Sequence, residues 1–204
     1  KEEVMTQFSF DMNRLNSIKP VERKFYKGEE SYFPYKRDEK LVPEFLPVGS
    51  SKHQVRFTGS THNEKGILEG LSPEALENTR KIHEKIEKNL DSFLQYELDE
   101  DADAKTLLIS YGITANATRE AARTLYNEGM PISLMIPKTL IPTPGIYLRV
   151  IKPYKNVVIA EENHTGQLKQ LLFGADVPEN VYSVNKIGNM IDPSEIIEEV
   201  KKHG

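Results

Sequence analysis

Three short stretches of this chain carry side chains that can do chemistry. The first is Glu161-Glu162-Asn163-His164-Thr165-Gly166-Gln167, an imidazole among carboxylates and amides. A histidine changes charge near neutral pH, so beside carboxylates it can move a proton or orient a polar ligand. His164 has no second His four residues on, so the spacing does not point to a metal pair. The competing reading of the stretch is a helix cap with surface charge. The second stretch is Tyr111-Gly112-Ile113-Thr114-Ala115-Asn116. Backbone N–H groups at such a strand-to-helix turn can receive a phosphate. One Gly, however, is not a dinucleotide fingerprint. A tight turn capped by Thr114 or Asn116 is the favoured reading. The third is Thr58-Gly59-Ser60-Thr61-His62-Asn63-Glu64-Lys65-Gly66. On an extended chain His62 and Glu64 share one side and can form a paired polar contact. A solvated turn is the alternative. Nothing in the sequence spells a P-loop or a distinctive Ser/His/Asp set. The residues singled out as facing an active site or interface are His62, Glu64, Gly112, Thr114, Glu162, Asn163, His164, Gly166 and Gln167. None is assigned a catalytic, cofactor-binding or metal-ligating role.

Strands and helices must position these groups. Residues 104–204 alternate between them. Apolar runs at 106–110, 132–136, 156–160 and 181–184 predict buried strands. Helices are expected over 115–128, stopped by Gly129, over 145–151 and 165–173, and after the Asp192-Pro193-Ser194-Glu195 start signal. Ala117, Ala121, Ala122 and Leu125 give the first of these a small inner face, while Ile196, Ile197 and Val200 point the last inward. The pattern predicts an α/β fold: a small doubly wound, mainly parallel sheet with helices on both faces. Ligands of such sheets sit beyond the strand C-terminal ends, where the first two stretches fall.

Residues 1–71 read differently. Nine of the 17 aromatics lie before residue 60, with Pro20, Pro34, Pro43 and Pro47 between them. Proline bars long helices here, and aromatic richness argues against a disordered tail. The expectation is an irregular arm whose aromatics anchor it on another surface. Residues 72–103 are expected as a long helix and an acidic linker. Ser72 and Pro73 start the helix, and Ile82, Ile86, Leu90, Phe93 and Leu94 make its apolar stripe. The run Glu97–Asp103, with five carboxylates in seven positions, is taken as solvated.

Composition narrows the classes. The chain has 204 residues, net charge −4 and no Cys. The missing Cys excludes a disulfide, a thiolate nucleophile and a Cys-ligated zinc or iron–sulfur cluster. No clustered basic surface points to nucleic acid, and no long apolar run points to a membrane span. A cytoplasmic location is expected. Because Lys1 stands where an initiator Met is usual, the chain is read as a fragment.

The residues just quoted resemble one family. Leu107–Ala122, the proline loop Ile136–Gly145 and Val157–Leu172 look like the second domain of the alpha subunit of 2-oxoacid:ferredoxin oxidoreductases. The most specific match is the acidic strand end followed by Asn163 and Thr165-Gly166-Gln167-Leu168. The loop from Thr58 to Gly66, Tyr32-Phe33-Pro34-Tyr35 and Pro43–Gly49 resemble that subunit's connector, and Glu3-Val4-Met5 resembles the end of its preceding domain. The resemblance implies a fold similar to the transketolase C-terminal domain. It also implies an enzyme that decarboxylates a 2-oxoacid on thiamine diphosphate with Mg, forms an acyl-CoA and passes electrons through iron–sulfur clusters to ferredoxin. No cofactor is expected on this chain alone. Its expected partners are a beta subunit and a missing N-terminal pyrimidine-binding domain, in an oligomer, with ferredoxin and CoA serving the whole enzyme. The chain itself would serve assembly and active-site shaping, inactive in isolation. Two alternatives stand beside this: a stand-alone nucleotide- or CoA-binding α/β module, and a structural dimerisation domain.

Overall fold

The computed structural model of the chain describes residues 11–17, 19 and 22–203. Glu3-Val4-Met5, Phe8, Phe10 and Pro20 lie outside them. The described chain divides into two compact units, residues 11–91 and 92–203.

In the second unit, apolar runs become strands and amphipathic runs become helices. Its elements are β1 (Tyr96–Asp99), β2 (Thr106–Ser110), α4 (Thr114–Asn127), β3 (Ile132–Pro137), α5 (Gly145–Ile151), β4 (Asn156–Glu161), α6 (Gln167–Phe173), β5 (Val181–Asn185) and α7 (Pro193–His203). The sheet order is β1-β3-β2-β4-β5. β2, β3, β4 and β5 run parallel, and β1 pairs antiparallel with β3. In the central register Leu108 lies between Leu134 and Val158, and Ser110 lies opposite Ala160.

Every residue of β2, β3 and β4 is buried, as continuous apolar strands covered on both faces require. On one face Leu108, Leu134 and Val158 pack with Ala121 and Leu125 of α4 and Ile196 and Val200 of α7. On the other, Leu107, Ile109, Val157 and Ile159 pack with Tyr147 and Ile151 of α5 and Leu168 and Leu172 of α6. Each fully buried Leu, Ile or Val contributes about 1.5–3 kcal/mol, so these two clusters hold the unit together. Tyr147 is enclosed yet keeps a polar partner: its hydroxyl donates to the Thr139 carbonyl at 2.8 Å, while burial pushes its pKa up.

One correction concerns residues 96–99, expected as solvated linker and found as β1 at the sheet edge. Tyr96 and Leu98 join the apolar cluster below the sheet. Glu97 on the opposite face pairs with Arg119 at 2.5 Å and Lys138 at 2.6 Å. The alternation of Tyr96, Glu97, Leu98 and Asp99 is a strand period that the density of carboxylates obscured.

The first unit has little regular structure: α1 (Met12–Ser17), α2 (Pro73–Lys88) and the one-turn α3 (Leu90–Phe93), which runs on to the second unit. Ser72 caps α2 through its hydroxyl, which accepts from Ala75 N at 3.2 Å. The single long helix expected here is interrupted at Asn89, whose φ of −109° and ψ of 10° leave the helix. The expected apolar stripe is only partly covered. Ala75 and Asn78 are buried, but Ile82 and Ile86 on the same face stay 42% and 39% exposed. The opposite face carries the ion pairs of Arg80 with Glu77 and Glu84.

Candidate functional site

The C-terminal ends of the parallel strands gather two of the three predicted stretches at one edge of the sheet. At the end of β4 the chain must leave a buried strand and enter α6 within a few residues. Glu161 is the last residue of β4 and is wholly buried. Its carboxyl oxygens accept from Asn163 Nδ2 at 2.6 Å, Leu168 N at 2.7 Å and Lys169 N at 3.2 Å. Asn163 Oδ1 in turn accepts from Gly166 N at 2.8 Å and Gln167 N at 3.0 Å. These bonds satisfy the N–H groups that open α6, which have no partner within the helix. Gly166 takes φ +71°, and a Cβ there would lie 3.3 Å from Asn185 Nδ2 and 3.4 Å from Glu161 Oε1. The left-handed backbone is what calls for glycine here, and a Cβ would in addition be a tight fit.

The other members of this stretch separate by role. Glu162 turns toward the β5–α7 loop, where its Oε1 accepts from Ile191 N at 3.3 Å. Gln167 is exposed and contributes only its backbone N–H to the Asn163 cap. His164 is exposed and among the described residues makes no hydrogen bond or ion pair. The residue missing from the sequence-based set is Glu161. Its signal was an acidic residue directly after the apolar run Val157–Ala160, which an internal polar partner must explain.

The Gly112 turn is built differently. Gly112 takes φ +59°, and α4 begins from Ile113 in helical conformation without a side-chain cap. The expected capping by Thr114 or Asn116 is therefore corrected. Thr114 is buried, and its carbonyl accepts from Thr118 Oγ1 at 3.0 Å. Asn116 accepts weakly from Arg119 at 3.4 Å. Ala115 N and Asn116 N bond to the carbonyls of Gly112 and Ile113, which closes a tight turn.

The third stretch lies in the first unit and is a turn, as the alternative reading had it, but one with His62, Asn63 and Gly66 buried rather than solvated. Asn63 Oδ1 accepts from Lys65 N at 3.0 Å and Ile67 N at 3.1 Å, and its Nδ2 donates to Glu69 Oε1 at 2.6 Å. Glu69 also receives the Ser72 hydroxyl, linking the turn to the α2 cap. Gly66 takes φ +75°, and a Cβ there would meet the Arg56 carbonyl at 2.5 Å. His62 is buried, with its ring on Tyr35 at 3.7 Å between centroids and its Nδ1 against the Ser60 carbonyl. His62 and Glu64 do not converge. Glu64 is half-buried, and its N–H donates to Glu74 Oε1 at 3.0 Å. The Arg37 guanidinium donates to the Asn78 carbonyl at 2.9 Å, and its burial lowers its pKa.

Among the described residues no group of three or more His, Asp or Glu side chains is placed to hold a metal. None of the described helices is long and apolar enough to cross a membrane.

No family model matches the chain. Individual relatives do. It is 32% identical over 189 residues to the 2-oxoglutarate synthase subunit KorA of Methanocaldococcus jannaschii, a match spanning 90% of this chain and 48% of that one. It is 29% identical over 178 residues to the 2-oxoglutarate oxidoreductase subunit KorA of Mycobacterium tuberculosis, spanning 85% of this chain and 26% of that one. A solved 2-oxoglutarate:ferredoxin oxidoreductase from Magnetococcus marinus, with 2-oxoglutarate, coenzyme A and succinyl-CoA bound, superposes with a TM-score of 0.79 and 27% identity. That superposition spans 92% of this chain and 33% of the other. The chain thus spans less than half the length of the curated relatives it matches. Sequence and fold agree: along nearly its whole length this chain is related to the subunits of 2-oxoacid:ferredoxin oxidoreductases.

Proposed function

We propose that this chain is part of the alpha subunit of a thiamine-diphosphate-dependent 2-oxoacid:ferredoxin oxidoreductase, which converts a 2-oxoacid to an acyl-CoA and passes the electrons to ferredoxin. The observation that carries this is the 32% identity over 90% of the chain, matched by a fold superposing at a TM-score of 0.79. The chain's own role is assembly and shaping of the active-site surroundings. Its sheet edge supplies the loops at Gly112–Thr114 and Glu162–Gln167, and the first unit supplies the turn around His62 and Glu64 as contact surface. The described residues do not fit a metal site, and the sequence has no Cys to ligate a cluster. Thiamine diphosphate, Mg and the iron–sulfur clusters therefore belong, in this proposal, to the assembled enzyme and to residues outside this chain. Its partners are a beta subunit and the remainder of the alpha subunit, with CoA and ferredoxin serving the whole, in the cytoplasm.

The stand-alone nucleotide or CoA module is the weaker reading. At the α6 end Glu161 and Asn163 already take the backbone donors that a phosphate would need. Reconstitution tests the assignment. The purified chain is mixed with thiamine diphosphate, Mg²⁺, a 2-oxoacid, CoA and an electron acceptor, with and without the rest of the alpha subunit and the beta subunit. Acceptor reduction only in the complete mixture is expected. Turnover by the chain alone, or none in the complete mixture with every 2-oxoacid tried, overturns the assignment. Calorimetric heat from CoA or ADP with the lone chain would revive the module.

A further inference from the structure

Glu161 is the one fully buried carboxyl among the described residues. It has no ion-pair partner there; the nearby Lys169 ammonium donates instead to Ser183 Oγ at 2.7 Å. Filling space alone favours an apolar side chain at such depth, because burying a carboxyl group is costly unless donors meet it. Here the donors come from both ends of one loop. Asn163 Nδ2 binds from its start, and Leu168 N and Lys169 N bind from its finish. The carboxyl group therefore ties residue 163 to residue 168 and closes the intervening chain into a ring. Gly166 seats against Glu161 Oε1, and Gln170 Nε2 holds the Thr165 carbonyl at 3.1 Å. Glu162 is held by Ile191 N. Within this ring the exposed side chains of His164, Thr165 and Gln167 make no hydrogen bond or ion pair among the described residues, and His164 supplies the imidazole among them.

The geometry points to Glu161 as the positioning residue of this loop, holding residues 162–166 in the single conformation that presents His164 at the C-terminal edge of the sheet. The inference goes beyond the assignment above, because it concerns the loop whatever meets it. The isosteric change Glu161→Gln replaces one accepting oxygen with an NH₂ that faces converging N–H donors. It is tested by NMR on the isotopically labelled 204-residue chain. Amide exchange at Gly166–Lys169 rises by about tenfold or more in the variant, as expected for local opening. The His164 imidazole signals shift and broaden, while those of His83 and His203 hold. Should E161Q fail to fold, Asn163→Ala removes the donor from the start of the loop and must move the same His164 signals. His164 signals that overlay the wild type overturn the proposal. That holds even when amide exchange has risen, because the carboxyl group would then stabilise the helix end without positioning the loop.

Discussion

The two units of this chain are held by different forces. In residues 92–203 the sheet lies between two apolar clusters, with Leu107, Leu108, Ile109, Val157, Val158 and Ile159 completely enclosed. In residues 11–91 Tyr32, Pro34 and Ala75 are the buried apolar side chains among the described residues. Phe57, Leu68 and Leu71 there stand 53%, 64% and 89% exposed. What organises this unit is polar: the Asn63–Glu69–Ser72 chain, the Tyr35 hydroxyl bonded to Thr58, and Arg37 on the α2 backbone. Hydrogen bonds contribute about 0.5–1.5 kcal/mol each net of water, whereas a buried aliphatic side chain contributes about 1.5–3 kcal/mol. The second unit thus carries its own core. The first has a defined backbone but leaves large apolar side chains such as Phe57, Leu68 and Leu71 exposed, which suits a segment completed by another surface.

The comparison breaks most sharply at Leu108. Leu108→Ala empties a site with no exposure and is expected to cost about 2–5 kcal/mol, read as a lower denaturant midpoint for the 92–203 unit. Leu71→Ala, at an 89% exposed position, is expected to stay within about 0.5 kcal/mol. Comparable losses at both positions would erase the distinction. Next comes Asn63→Ala, which removes the acceptor for two backbone N–H groups and the donor to Glu69. A loss of about 2 kcal/mol is expected. Faster proteolysis within 56–72, with the sheet unit unaffected, is the observation that checks it.

Much of the second unit was legible because burial on both faces leaves a plain apolar signal. The run at 106–110 and the helix at 145–151 appear at the expected residues. β1 was hidden because an edge strand buries only alternate residues, and its outward positions carry acids. Glu161 was overlooked for a related reason. Its partners lie up to eight residues away and include backbone N–H groups, which no residue type announces. In the first unit the Thr58–Gly66 turn was recognised as polar, but its burial depends on Tyr35 and Asn78 from distant segments.

The smallest expected effect concerns β1 and pH. The ammonium of Lys138 and the guanidinium of Arg119 hold the Glu97 carboxyl below the usual carboxylate range. A carboxylate with a lowered folded-state pKa stabilises above its unfolded value, and that contribution is lost as pH falls through the folded value. The melting difference between wild type and Glu97→Gln is therefore expected at neutral pH and should vanish in acid. It should also shrink with added salt, since these groups are about half exposed. A difference that grows in acid contradicts this sign.

The most direct test of the account is site-resolved hydrogen exchange on the chain alone and in complex with the beta subunit and the rest of the alpha subunit. Alone, the amides of β2, β3 and β4 should exchange only by global unfolding, and those of residues 22–71 orders of magnitude faster. In the complex the 22–71 amides should gain protection while those of the sheet change little. Equal protection of both units in the isolated chain, or no gain across 22–71 on assembly, would contradict it.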